Sequence, residues 1–288
     1  MQKISLICPT HNEKNNLKVL FDSILNQTKR PNEIIFIEDS STDNTFSVLS
    51  QFKTKIKNVK IFRVNNRNIS KNRNLAVEKS KNEIIVCVDA GCKLTKTYLE
   101  KITEPFKNKK IFFVAGVSKL IPKNLFDECF DSFVTKDKFS QDYLPKGHAM
   151  AFRKSLWKKI GGFPEHLALG AEDTYFGRKA VAEGYKPFIV ENAIVNWETR
   201  RGLRAIYKQF NNYGYWDGRA FSLSELPKNS KLSLIVSVLF PLEIAHAFYK
   251  GIRLLSKFRK IRAFYYGLMI DLFKVYGYLF GWCSGVRK

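Results

Sequence analysis

Three apolar runs in the first ninety residues each lead directly into acidic or hydroxyl side chains. Residues 4–8 run into Pro9-Thr10-His11-Asn12-Glu13, residues 34–37 into Glu38-Asp39-Ser40-Ser41-Thr42-Asp43, and residues 84–88 into Asp89-Ala90-Gly91. Carboxylates gathered at one edge repel one another unless a cation or hydrogen-bond donors are shared among them. One reading of these residues is helix capping, which Asp and Ser do well. Three such ends in register point instead to a site. Arg73 supplies a fixed cation for an anionic ligand, or else a solvated charge on a helix, since Lys71 and Lys79 lie nearby. Further on, Glu172-Asp173 opens a helical stretch after a glycine-rich segment, residues 161–170. A carboxylate there can take a proton from a nucleophile or complement the positive end of the helix; the two roles are compatible.

The elements that would position these side chains alternate. An apolar helical face (Leu17, Leu20, Phe21, Ile24, Leu25) follows the first run, and Phe46, Val48, Leu49 and Phe52 follow the second. Residues 59–64 alternate as a strand, 74–80 read as helix, and 84–88 are apolar throughout. Runs apolar at every position are buried on both faces, as in a parallel sheet covered by helices. Ligands of such sheets bind beyond the carboxyl ends of the strands, where the polar residues stand. Residues 120–146 look irregular. Then come a strand near 149–152, a helix near 154–160, the Gly161-Gly162-Phe163-Pro164 turn, a helix near 173–183, and short strands at 188–190 and 193–195.

The chain has 288 residues with 49 Lys and Arg against 26 Asp and Glu, a formal charge of +23. With 45% apolar residues it is a globular composition rather than a disordered one, and the charge favours polyanionic partners: nucleic acid, anionic lipid or phosphorylated substrates. Cys8, Cys87, Cys92, Cys129 and Cys283 show no CxxC pair and fit neither a zinc site nor a disulfide framework. The reading is a reducing compartment, with a first apolar run too short for a signal peptide. Composition changes near residue 227, which suggests a catalytic domain over 1–226 and a basic helical tail over 227–288. In the tail, the apolar stretch 232–249 contains Pro241, Glu243 and His246, and the stretch 263–286 contains Asp271 and Lys274. Between them Lys250, Arg253, Lys257, Arg259, Lys260 and Arg262 occur with no acid. Paired apolar helices around a basic turn suit a protein lying on an anionic leaflet; packing on the catalytic domain or on a partner chain is the other reading.

The first-run motif Ser5-Leu6-Ile7-Cys8-Pro9-Thr10-His11-Asn12-Glu13, then Ile37-Glu38-Asp39-Ser40-Ser41-Thr42-Asp43, Lys71-Asn72-Arg73-Asn74-Leu75-Ala76 and Val88-Asp89-Ala90-Gly91 resemble, in order and spacing, the family 2 glycosyltransferases. Ala151-Phe152-Arg153, Gly161-Gly162-Phe163 and Glu172-Asp173 are similar to the acceptor-side half of that family. The resemblance implies a GT-A (Rossmann-like) α/β fold, a mostly parallel sheet flanked by helices, here followed by C-terminal apolar or amphipathic helices. It implies an inverting transfer from a nucleoside-diphosphate sugar, a UDP-sugar by preference, to a lipid-linked or cell-surface glycan precursor at the cytoplasmic face of the membrane. By residue, it places Pro9, Thr10, His11 and Glu13 beside the nucleotide, Asp39 on the base, Arg73 facing the nucleotide, Asp89 at the ribose and a divalent metal, and Asp173 as general base. Glu172, Trp197 and Gln209 fall on the acceptor side. The chain departs from the family pattern at Gly91, where a second Asp is usual, and at Trp197, near the place of a metal-side His. Mg²⁺ or Mn²⁺ held by Asp89, and stabilisation by Arg and Lys instead, both remain open here. Gln209 is followed by Asn212-Tyr213 instead of the Arg-Trp of processive members, which favours addition of one or a few sugars. A nucleotidyltransferase of similar fold and a basic nucleic-acid-binding protein are the rival readings. The first lacks its glycine-rich phosphate loop after residue 8, and the strand-end carboxylates speak against the second.

Overall fold

The structure, a computed structural model, describes residues 2–134, 143–198, 202–222 and 240–286. Two units are distinguished: Met1–Lys119 with Asp137–Trp197, and Leu120–Lys136 with Glu198–Lys288.

The first unit is built on strands β1 (Ile4–Thr10), β2 (Glu33–Asp39), β3 (Val59–Val64), β4 (Ile84–Cys87), β5 (Cys92–Leu94), β6 (Phe113–Leu120), β7 (Met150–Arg153) and β8 (Phe188–Trp197). Among the described residues they form one sheet in the order β3-β2-β1-β4-β7-β6-β8-β5. It is parallel from β3 through β4 and antiparallel where β7 joins β4 and β6, and where β5 meets β8. Alternation along the strands divides the core into two layers. Leu6, Cys8, Phe36, Val86 and Val88 point to one face, and Ile7, Ile35, Ile37, Ile85 and Cys87 to the other. The first face is covered by helices α1 (Leu17–Leu25), α2 (Thr45–Lys55) and α4 (Tyr98–Thr103), with Phe21 stacked on Phe52 at 3.7 Å. The second is covered by α3 (Ile69–Lys79), α6 (Lys154–Ile160) and α7 (Glu172–Ala182).

Three expectations from the sequence need amendment. Helix α3 starts five residues before the expected 74, because its first turns bury polar side chains and carry no apolar signal. The strand expected in two pieces after residue 187 is continuous; exposed Glu191 and Asn192 hide its middle. Strand β6 and helix α5 (Leu125–Val134) have no counterpart among the expected elements. In β6, Gly116 interrupts the pattern because the backbone of β8 passes there: a Cβ would stand 2.9 Å from the Ala193 carbonyl oxygen. Cys8, Cys87, Cys92 and Cys129 are buried free thiols, and Cys283 is exposed.

The second unit contains α5, α8 (Leu203–Ser222), α9 (Phe240–Phe258) and α10 (Ile261–Val286). The compositional boundary at 226/227 and the apolar residues 232–239 lie outside the described residues, as do Thr199-Arg200-Arg201. Helix α8, which composition groups with the catalytic domain, packs along α10 in this unit, and the cause is a set of glycines. Gly277, Gly281 and Gly285 of α10 lie on the backbone of Tyr207, Asn211 and Tyr215, while Gly214 and Gly218 of α8 lie on Tyr278 and Trp282. Small residues four apart let two helix backbones approach in this way. Gly281→Val is therefore expected to destabilise the protein by about 3 kcal/mol or more through overpacking. Urea denaturation measures this, and an unchanged midpoint would refute the close approach. Among the described residues no helix is long and apolar enough to cross a membrane.

Candidate active site

Helix α3 carries a buried polar face that organises the carboxyl edge of the sheet. Its N-cap Asn68 accepts from Lys71 N at 2.9 Å and donates to the Glu165 carbonyl at 2.7 Å. Asn72 donates to Asp39 at 2.7 Å. Asn74 holds the Gly162-Phe163 turn, donating to the Phe163 carbonyl and accepting from Phe163 N and Trp157 Nε1. Both Gly161 and Gly162 have φ of +77°, which suits glycine.

Arg73 is the centre of the group. It is 1% exposed and forms ion pairs with Asp89, at 3.1 Å, and with Glu172. The resemblance has Arg73 facing the nucleotide and Glu172 facing the acceptor. Both side chains are buried, and an ionised guanidinium in such a place needs carboxylate partners. Gly147 is stacked against the guanidinium: a Cβ would stand 2.5 Å from Nη2. The Gly147 N–H also donates to Asp173 Oδ2 at 2.7 Å, and Thr174 N donates to Oδ1 at 2.7 Å. Asp173 is thus aimed by two backbone donors while staying half-exposed. The next residue, His148, contacts Asp89 at 3.5 Å and hydrogen-bonds Ser118 Oγ at 2.8 Å. Gly147 and His148 belong to none of the sequence motifs; only their position just ahead of an apolar strand marks them.

Burial would raise the Asp89 carboxyl, but Arg73 and His148 outweigh it and hold the value at about 2. Glu172 goes the other way: burial, reinforced by Asp173 and only partly opposed by Arg73, pushes it up to about 7. The folded state therefore keeps a proton that the unfolded chain loses near 4.5. Stability should fall through this group as pH rises from about 4.5 to about 7, and stay level above that. In Glu172→Gln this slope should flatten, as seen by denaturation at several pH values; an unaltered slope would refute the raised carboxyl.

On the nucleotide side, Asp39 is 3% exposed and accepts from Asn66 N at 3.0 Å and Asn68 N at 3.3 Å as well as from Asn72. A carboxylate has about four lone-pair sites, so one is left after these three. His11 Nδ1 donates to the Asp39 carbonyl at 2.6 Å, which can only accept, and its Nε2 accepts from Arg67 at 2.9 Å. Thr10 ties β1 to β2 through the Ile37 carbonyl, next to Pro9 in the strand. Glu13 Oε2 accepts from Asn16 at 2.6 Å. Trp197 ends β8 opposite Cys92, with Lys146 Nζ 5.1 Å above its ring. Gln209 lies in the second unit and donates to Tyr213 OH at 2.8 Å. Among the described residues no three His, Cys, Asp or Glu side chains gather for a metal ion. Asp89 is engaged by Arg73 and His148, and Gly91 and Trp197 bring no ligand. This donor set does not fit a protein-built divalent site.

Comparison with known proteins follows the same lines. Residues 5–158 match the family model "Glycosyl transferase family 2", and residues 84–283 match "Glycosyl transferase family group 2". The O-antigen chain rhamnosyltransferase RfbN of Salmonella typhimurium is 27% identical over 241 residues, 74% of this chain and 71% of that protein. Among solved structures, the mannosyltransferase PcManGT of Pyrobaculum calidifontis in complex with GDP-Man and Mn²⁺ superposes with a TM-score of 0.63 at 18% identity, covering 95% of this chain and 87% of that one. S. aureus TarS 1–349 in complex with UDP-GlcNAc gives 0.58 at 16% identity, covering 98% and 91%. These two show a shared GT-A-like fold. The chain belongs to glycosyltransferase family 2 and is a glycosyltransferase.

Proposed function

We propose that the chain is an inverting enzyme that moves a sugar from a UDP-sugar to a hydroxyl of a lipid-linked or cell-surface glycan precursor. The observation that carries this reading is Asp173: half-exposed at the head of α7, aimed by the Gly147 N–H, and next to the Arg73–Asp89 pair at the carboxyl edge of the sheet. In the reaction, the acceptor hydroxyl gives its proton to Asp173 as its oxygen attacks the sugar C1. The bond from C1 to the diphosphate oxygen breaks with its electron pair leaving on the diphosphate. One displacement inverts C1. The last lone pair of Asp39 accepts from a ring N–H of the base, with Thr10, His11 and Glu13 shaping the loop beside it. Arg73 is committed to Asp89 and Glu172, and His148 to Asp89 and Ser118, so Lys146 is assigned to the developing charge on the diphosphate.

Catalysis belongs in this reading to the first unit, where Trp197 serves the acceptor. The glycan precursor is suggested by the name of the relative RfbN, and the UDP-sugar by the ligand of TarS. The tail keeps the enzyme peripheral or monotopic on the cytoplasmic face of an anionic membrane, in keeping with six cations and no acid over residues 250–262. A panel of nucleotide sugars tests the reading through thermal stabilisation and hydrolysis. UDP-sugars should raise the melting temperature, and Asp39→Ala should weaken their binding. Retention on nucleic acid with no response to any nucleotide sugar would overturn it.

A further inference from the structure

Helix α9 has an inner apolar face and, among the described residues, a second apolar face that is largely exposed. Its inner face buries Ala247 and Leu254 and brings Gly251 against Phe264 of α10. On the outside, Ile244 is 42%, Tyr249 61% and Ile252 50% exposed, and Phe248 is 51% exposed although one edge of its ring meets Phe264 of α10 at 5.1 Å. At 3.6 residues per turn these four cover an arc of about 140°. Exposed Arg253 borders that arc, and exposed Arg259, Lys260 and Arg262 follow at the turn into α10. Ile261 and Tyr265, at the start of α10, are also exposed. Asp271 of α10 is buried, paired with Lys250 at 2.7 Å and in contact with His246 at 3.4 Å.

We propose that the outer face of α9 is the element that enters the membrane, lying in the plane of an anionic leaflet. The proposal deepens the membrane placement of the preceding subsection and rests on it. Burial of Ile244, Phe248 and Ile252 at the acyl boundary supplies a contribution that salt does not screen. Tyr249 suits the headgroup level, and the exposed cations meet lipid phosphates. Helix α10 supports α9 from within: its C-terminal glycines are taken up by α8, and at Gly267 a Cβ would stand 3.0 Å from the Gly251 Cα of α9. A second copy of the chain is a poorer occupant. A two-fold interface sets each patch against itself, which would bring the exposed cations of both copies together.

The experiment uses the full chain with phosphatidylcholine vesicles, with and without phosphatidylglycerol. Co-sedimentation should require phosphatidylglycerol, and high salt should weaken it without abolishing it. The double variant Phe248→Glu/Ile252→Glu should lose at least about tenfold in partition, and Arg253→Gln/Arg259→Gln should lose the preference for phosphatidylglycerol. Both variants change exposed positions, and an unchanged thermal response to UDP shows that the fold and the nucleotide site are intact. Equal partition of Phe248→Glu/Ile252→Glu and the parent protein overturns the proposal. So does sedimentation velocity showing a dimer that this variant disperses while vesicle binding persists. A failure of the sugar-transfer reading would appear separately, as no response to nucleotide sugars in the parent protein.

Discussion

Asp173→Asn is expected to lower sugar transfer by about a thousandfold, within the range for loss of a general base. Nucleotide affinity should change by less than about 1 kcal/mol. The asymmetry follows from geometry. An Asn oxygen can still accept from the Gly147 N–H, which lies 2.7 Å from the carboxylate in the native site, so the loop and the head of α7 keep their places. What is lost is the capacity to take the acceptor proton during attack, a contribution made only in the transition state. Initial rates with a nucleotide-sugar donor and calorimetry with UDP separate the two effects. Near-normal turnover would remove Asp173 from the chemistry, and a large loss of UDP affinity would make it a structural residue.

Arg73→Ala should be the most damaging single change to stability in the first unit. The guanidinium is buried and holds Asp89 and Glu172 on separate arms. Removing it leaves two carboxyls without their cation and an empty space against Gly147, a cost of about 3–5 kcal/mol. The cost should be larger at pH 8 than at pH 6. With a native value of about 7, Glu172 is ionised at the higher pH and can hold a proton at the lower one. Arg73→Lys should recover only part of the loss, because one ammonium replaces a planar fork that reaches two partners. Urea denaturation followed by tryptophan fluorescence at both pH values measures this. A cost below about 1 kcal/mol would mean that the carboxyls find other partners or solvent.

Strands β1, β2 and β4 are legible from local residues alone, since only a sheet covered on both sides can bury every position of such apolar runs. The gathering of polar groups at their carboxyl ends is legible too, because the chain must turn there and the residues at or after each run include Thr10, Asp39 and Asp89. The order of the motifs points to the family. The partner that each charge takes is set by the packing of distant segments. Arg73 looks in the sequence like a cation among lysines, and only the approach of α7 and the loop before β7 encloses it between Asp89 and Glu172. The start of α3 is illegible for the same reason: its buried face is Ser70, Asn72, Arg73 and Asn74, so hydrophobic periodicity has nothing to detect. Gly147 carries no local signal either, because what requires it is another segment's guanidinium at the position a Cβ would occupy; the fourfold spacing of Gly277, Gly281 and Gly285 is visible in the sequence, but the backbone that it receives is not. A close approach between distant segments is a property of packing, and no window of neighbouring residues contains it.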